Sequence, residues 1–308
     1  TEAELELAVR SGIGEFNAES EEELRRLSRV AVALGARAAV TLRVNPDIDA
    51  RSHPYISTGL RDNKFGVDVV AAPAILARVR ALPGIEIVGV QSHIGSQVRD
   101  LAPLSDAARA LAALSRRLLD EGYALRTIDI GGGLGVDYYV DAGPEPADLA
   151  KAVLPHLSAL GLTVLLEPGR SIVARAGALL TRVLYLKESY GKLFVVVDAG
   201  MNDLLRPALY DAFHRIEPVS SRKRAERAVD VVGPVCETAD FLARKRNMEV
   251  PEPGELLAVR DAGAYGFSMA STYNMRPRPA EVLSEAGAFR LIRRRETFED
   301  LVATEEPG

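Results

Sequence analysis

Along the first half of the chain, short uninterrupted apolar runs alternate with longer stretches whose apolar positions recur at helical spacing. Residues 13–17, 38–44, 85–91, 126–130 and 162–166 read as strands, with a further short strand over 64–66. Residues 20–34, 73–82, 104–121 and 147–160 read as helices. Ser20 with Glu23 makes a capping box for the first of these, and Gly122 stops the third. Continuous apolar strands alternating with helices predict a parallel sheet buried on both faces. Four strands run straight into polar or glycine-rich clusters: Asn45-Pro46-Asp47, Ser92-His93, Gly131-Gly132-Gly133 and Glu167-Pro168-Gly169-Arg170. A doubly wound sheet gathers its ligand loops at one switch point, whereas a (β/α)8 barrel decorates successive strand ends. The prediction is therefore a partial (β/α)8 TIM-type barrel over residues 1–175. Beyond it, 178–188, 193–198, 228–232, 255–260 and 289–294 read as strands between Gly and Pro turns, a mainly β domain over 176–308. A barrel of ~250 residues takes about 31 per unit, so three units, roughly 90 residues, are wanting. Either the barrel is open or an N-terminal piece is missing.

Composition narrows the function. The 308 residues carry 38 basic and 43 acidic side chains, a net charge of −5, which argues against binding phosphate backbones. With 47% hydrophobic and 26% charged residues the chain is an ordinary globular one. No apolar run approaches the ~18 residues of a membrane span, and no signal peptide opens the sequence. A soluble, cytoplasmic protein is expected. A single cysteine, Cys236, excludes an internal disulfide and a thiolate zinc cluster, and the four histidines are scattered, so no metal is expected.

Each candidate cluster has two readings when taken alone. Gly131 to Gly133 offers a backbone nest for an anion, or a plain tight turn. Glu167 and Arg170 at a barrel mouth suit a cationic ring nitrogen and an anionic group, or each other as a local ion pair. His93, with Gly95 and Ser96 just after it, is a catalytic group or a satisfied structural histidine. Cys236 beside Glu237 is reactive, or a small buried hydrophobe. Arg206 and Tyr210, one helical turn apart, hold a carboxylate together or form a surface pair. The basic runs 222–224 and 293–295 read as solvated faces.

Together the clusters are more specific. The series His93-Ile94-Gly95-Ser96, Asp129-Ile130-Gly131-Gly132-Gly133, Glu167-Pro168-Gly169-Arg170, Cys236-Glu237 and Asp261-Ala262-Gly263-Ala264-Tyr265 resembles the fold-type III pyridoxal-phosphate-dependent decarboxylases. The stretches 45–49, 53–59, 198–203 and 233–237 are similar to members acting on meso-2,6-diaminopimelate, and the resemblance runs from Glu2 to about Ala303. It implies pyridoxal 5'-phosphate as cofactor, with His93 stacked on its ring, Ser96 and Gly131 to Gly133 on its phosphate, Glu167 at the pyridine nitrogen, and Gly169, Arg170 and Tyr265 also in contact. It makes Cys236 the proton donor after loss of CO2. Arg170, Arg206, Tyr210, Glu237 and Tyr265 become the substrate-binding set, in a homodimer whose active sites are shared through Cys236 and Glu237.

The reaction so implied is decarboxylation of meso-diaminopimelate to L-lysine, the last step of lysine biosynthesis. A relative acting on ornithine, lysine or carboxynorspermidine, or a non-catalytic regulatory paralogue, is the alternative. Retention of Cys236 and Glu237 weighs against the regulator, which needs no proton donor. The family's Schiff-base lysine, in a Tyr-Ala-x-Lys-Ala-Asn-like stretch of the first barrel strand, has no match here, and Lys64 stands at a different family position. Its absence coincides with the wanting strands. The expectation is a C-terminal two-thirds of such an enzyme, inactive without the segment that carries the lysine.

Overall fold

The computed structural model describes residues 1–50, 53–139, 143–220 and 222–306, and the chain divides into two compact units. The first runs to Asp137 and resumes up to Gly169; the second takes in Tyr138 and Tyr139 and runs on from Arg170. In the first unit the order is α1 (Glu2–Arg10), β1 (Phe16–Ala18), α2 (Glu21–Ala33), β2 (Ala38–Asn45), β3 (Val67–Asp68), α3 (Ala72–Val79), β4 (Ile85–Gln91), α4 (Ala102–Asp120), β5 (Thr127–Asp129), α5 (Pro146–Leu157) and β6 (Thr163–Leu165). Ser20 caps α2 by accepting the Glu23 N–H, but the Glu23 carboxylate reaches back to the Glu19 N–H, so only half of the capping box forms. Gly122 stops α4 in the left-handed region, at φ +80°.

Every strand pair in this unit is parallel, in the order β1-β2-β4-β5-β6, with β3 along the end of β2. The strand expected over 64–66 falls at Val67–Asp68 instead. Gly66, at φ +69°, first turns the chain close against the Arg43 and Val44 backbone, in a conformation that side-chain-bearing residues rarely adopt. Leu24, Leu27, Leu76, Leu111 and Leu118 from the helices close on Val40, Leu42, Val90 and Ile128 of the sheet. The alternate positions of the strands carry a polar row instead, as the two-residue period requires. Thr41 and Thr127 flank Gly89 in register, and both hydroxyls donate to Glu15 Oε2, at 2.8 and 3.0 Å. This unit is the partial barrel that the sequence pattern predicts.

The second unit is mainly β: α6 (Arg170–Val173), β7 (Leu179–Ser189), β8 (Lys192–Val197), α7 (Arg206–Tyr210), β9 (Ile216–Pro218), β10 (Glu226–Val232), β11 (Phe241–Glu249), β12 (Leu256–Val259), β13 (Glu281–Glu285), β14 (Ala288–Arg293) and α8 (Phe298–Leu301). Six strands form one sheet in the order β11-β10-β8-β7-β12-β9, with β13 and β14 as a separate hairpin. All pairs are antiparallel except β8 with β10. Val183, Val195, Val197, Val229, Val231, Leu242, Leu257 and Val259 make its core. Among the described residues no helix is long and apolar enough to cross a membrane.

Candidate active site

Parallel strands end on a common edge, and in the first unit the register sets Arg43, Gln91 and Asp129 side by side just short of it. Beyond that row the chain supplies the predicted residues. His93 follows β4, Gly131 to Gly133 follow β5, and Glu167 follows β6. The Asp129 carboxylate accepts the Gly131 N–H at 2.7 Å, and His93 Nδ1 accepts the Gly132 N–H at 3.2 Å. Two of the three glycine N–H groups are therefore already engaged inside the protein. What these glycines contribute is room: a Cβ would lie 2.7 Å from the Ser92 carbonyl oxygen at Gly131, 2.2 Å from that of Glu167 at Gly132, and 2.3 Å from that of Gly95 at Gly133. Gly131 and Gly133 also hold φ values of +69° and +104°, which side-chain-bearing residues rarely adopt.

The electrostatics of this edge follow from burial. His93 is pushed below the ordinary histidine range by desolvation first and by the Arg43 charge second, against the pull of Glu167. Its ring is neutral at neutral pH, with Nδ1 serving as acceptor. Glu167 Oε1 accepts from Asn17 Nδ2 at 2.9 Å and Gln91 Nε2 at 3.3 Å. The local ion pair considered for Glu167 and Arg170 is not how these groups are satisfied, since Arg170 Nη1 donates to the Tyr138 hydroxyl at 2.8 Å. Asp129 is 5% exposed, and burial, with the neighbouring Glu167 charge adding to it, raises its carboxyl to about 6 against the Gly131 hydrogen bond. Ser96 is half-buried beside this edge, its N–H on the Ile56 carbonyl.

In the second unit the arginines are internal. Arg170 is 6% exposed and Arg206 4%, which overturns the surface-pair reading of Arg206 and Tyr210. The Arg170 guanidinium lies 4.9 Å from the Tyr265 ring centroid, and that of Arg206 lies 4.7 Å from the Tyr138 centroid. Arg206 Nη1 bonds His214 Nε2 at 2.8 Å, while its Nε is buried without a partner. Among the described residues no carboxylate lies within ion-pair distance of Arg206. Tyr210, at the end of α7, is half-buried and close enough to Arg206 to favour its charge. Tyr138 and His214 carry this cluster, yet nothing in their sequence neighbourhoods announces them; burial alone reveals both.

Cys236 is exposed, which overturns its reading as a buried hydrophobe. Its loop is pinned from below by Asp240, whose carboxylate accepts the Val235 N–H at 2.6 Å and the Met201 N–H at 2.7 Å. Gly233 makes that approach feasible, since a Cβ there would meet both Asp240 oxygens at 2.6 Å. Glu237, next to the cysteine, accepts from the Tyr273 hydroxyl at 3.3 Å and lines a cleft of about 770 Å³ with Met201, Asn202, Leu205 and the 271–275 segment. A carboxylate lining a cleft can read an ammonium, and the exposed thiol next to it in sequence can deliver a proton.

Comparison with known proteins decides the family. Residues 1–174 match the pyridoxal binding domain of the pyridoxal-dependent decarboxylases. Over 305 residues the sequence is 51% identical to the diaminopimelate decarboxylase of Pseudomonas aeruginosa, covering 99% of this chain and 73% of that protein. The chain belongs to the diaminopimelate decarboxylase family. The Aquifex aeolicus diaminopimelate decarboxylase is 48% identical over 98% of the chain and 72% of its own length. The crystal structure of the Helicobacter pylori enzyme complexed with L-lysine superposes with a TM-score of 0.95 at 44% identity, covering 99% of this chain and 76% of that one. The groups on the barrel edge suit the family's pyridoxal phosphate. A neutral imidazole is available to its ring, a carboxylate held by two amides to its pyridine nitrogen, and a glycine-cleared surface beside Ser96 to its phosphate.

Proposed function

We propose that this chain supplies the cofactor-holding and substrate-reading residues of an enzyme that converts meso-diaminopimelate to L-lysine and CO2. The observation that carries this reading is Arg206, a buried guanidinium with no carboxylate within ion-pair distance among the described residues. A guanidinium cannot shed its proton, so it stays charged in the interior, where the carboxylate of a ligand would complement it. Meso-diaminopimelate has a second carboxylate for that purpose; ornithine and lysine have none at the corresponding end. Arg170 and Tyr210 join Arg206 in holding it, and Glu237 takes the neighbouring ammonium.

Pyridoxal phosphate, when bound, supplies an electron sink for the electrons left by departing CO2. Glu167 favours a protonated pyridine nitrogen because a carboxylate stabilises an adjacent cation. His93, neutral, would cover the ring without adding a competing charge. Ser96, Gly133 and Tyr265 serve the phosphate. Cys236 returns a proton to the carbon that lost the carboxyl group. The working unit is a homodimer in which Cys236 and Glu237 serve the partner's cofactor. The test is CO2 release by the complete enzyme from meso-diaminopimelate, ornithine, L-lysine and carboxynorspermidine in parallel, with lysine formation followed for diaminopimelate. Turnover confined to diaminopimelate supports the reading, and comparable turnover of a substrate lacking the distal carboxylate refutes it.

A further inference from the structure

Gln97 follows Ser96 directly. It is half-buried and sits in the left-handed region at φ +62°, which a glutamine seldom adopts. From there its amide spans to the loop that follows β5. Nε2 donates to the Val136 carbonyl at 2.5 Å, and Oε1 accepts the Val136 N–H at 3.1 Å. One side chain thus pairs with both backbone groups of one residue, as a neighbouring strand would. The orientation of the amide follows, because the flipped form would set N–H against N–H and oxygen against oxygen. Alongside, the Val98 N–H donates to the Gly133 carbonyl at 2.8 Å, and the Gly135 N–H to the Val98 carbonyl at 2.9 Å. Glycine is what allows so close an approach. A Cβ would lie 2.3 Å from the Gly95 carbonyl oxygen at Gly133, and 2.9 Å from that of Val98 at Gly135.

Loops at strand ends are ordinarily the most adaptable part of such a sheet. These two are tied into one body. On its other side the loop after β4 is fixed by the Ser96 N–H on the Ile56 carbonyl at 3.0 Å, and by the Thr58 hydroxyl on the His93 carbonyl at 2.6 Å. Val98 is fully buried and packs with Ile94 and Leu104. Further out, Arg99 pairs with the buried carboxylate of Asp137. Ser96 and the glycine segment stand on different loops, yet they keep their spacing before anything binds. A site that grips one anion from two loops gains most from this, since binding then carries no cost of bringing the loops together.

We propose that Gln97 is a positioning residue that locks Ser96 and the Gly131–Gly135 segment into one preorganised face for the phosphate of the cofactor. This rests on the reading of Ser96 and Gly133 as groups that serve that phosphate. The amide of Gln97 is engaged by Val136, so it acts through the loops and not by touching the cofactor.

Pyridoxal has the ring and aldehyde of pyridoxal phosphate without the phosphate, so the pair isolates this face. Both are measured by equilibrium dialysis against the complete enzyme stripped of cofactor. Gln97→Met keeps the length of the side chain and removes both hydrogen bonds. It should weaken pyridoxal phosphate by about tenfold or more, as the loss of two neutral hydrogen bonds allows, and leave pyridoxal unchanged. Gln97→Glu keeps an acceptor for the Val136 N–H but sets an oxygen against its carbonyl, and should lose affinity as the methionine variant does. Gln97→Gly relieves the left-handed backbone without restoring the amide, and should not bind pyridoxal phosphate as the wild type does.

Wild-type affinity for pyridoxal phosphate in any of the three variants, or equal losses for pyridoxal phosphate and pyridoxal, would overturn the proposal. Should the variants fail to fold, hydrogen exchange at the Val136 N–H of the wild-type protein without cofactor decides the matter. Slow exchange before cofactor is added supports preorganisation, and fast exchange there overturns it. Ser96→Ala separates the two levels of inference. If it weakens pyridoxal phosphate no more than pyridoxal, the phosphate reading fails and the proposal with it. If it is selective for the phosphate while Gln97→Met is not, only the positioning role fails.

Discussion

Replacing Arg206 by alanine removes a guanidinium that is 4% exposed and bonded to His214 Nε2. Water cannot substitute for it, because the site that Tyr138 and His214 enclose is buried. When the distal carboxylate of diaminopimelate is bound, Arg206→Ala therefore leaves that carboxylate with one partner fewer in a low-dielectric setting. Removing one member of such a desolvated pair costs ~2–5 kcal/mol. At 1.4 kcal/mol per decade, kcat/KM of the complete enzyme for diaminopimelate should fall by about 30-fold or more. Arginine's planar fork is also what a carboxylate fits best, so Arg206→Lys should recover only part of the loss. The assay pairs this substrate with L-lysine as an alternative substrate, which presents a bare ammonium at its distal end when oriented for decarboxylation. Any residual turnover of L-lysine should hardly change. Equal losses on both substrates would mean that Arg206 only supports the fold, and the diaminopimelate assignment would lose its main physical support.

Three further outcomes follow from the geometry. Asp129 is raised from 3.8 to about 6 and His214 lowered from 6.5 to about 4, so their stability contributions oppose each other with pH. Folded Asp129 binds more protons than unfolded between about pH 4 and 6, which lowers stability as pH rises; folded His214 binds fewer between about 4 and 6.5, which raises it, each by ~3 kcal/mol at most. Asp129→Asn should thus unmask a steeper gain in stability from pH 4 to 6 by urea titration, and an unchanged slope would contradict the burial of that charge. Gly132→Ala places a Cβ 2.2 Å from the Glu167 carbonyl oxygen, a backbone atom that can move only with the end of β6. It should cost ~1–3 kcal/mol by thermal melting and weaken pyridoxal phosphate binding; a variant with wild-type values for both would show that the loop yields freely. Cys236→Ala mixed with Glu167→Ala should regain activity through hybrid dimers if sites are shared, and no gain despite demonstrated subunit exchange would place the cysteine in its own barrel.

What the sequence by itself determined was the βα rhythm and the chemistry at the strand ends. Strands covered on both faces must be apolar throughout, so 38–44 and 85–91 stand out from the helices between them, and parallel pairing then brings their carboxyl ends to one edge. Residues 241–249 escaped that logic. Arg244, Lys245 and Arg246 interrupt any alternation there, and the strand survives because the ladder with β10 shifts register opposite Val229 and Val231, while Asp230 accepts the Lys245 N–H. The identities of His93, Glu167, Arg206 and Cys236 were legible because they stand in motifs. Their states were not. Whether Gly132 gives its N–H to a ligand or to His93, whether Arg206 is solvated or buried, and whether His214 is charged depend on neighbours far away in the chain. Tyr138 and His214 meet Arg206 only because the fold of the second unit brings three separate segments around one guanidinium. Local pattern dictates which elements form, but desolvation and hydrogen-bond satisfaction are properties of the assembled interior, and only the tertiary structure decides them.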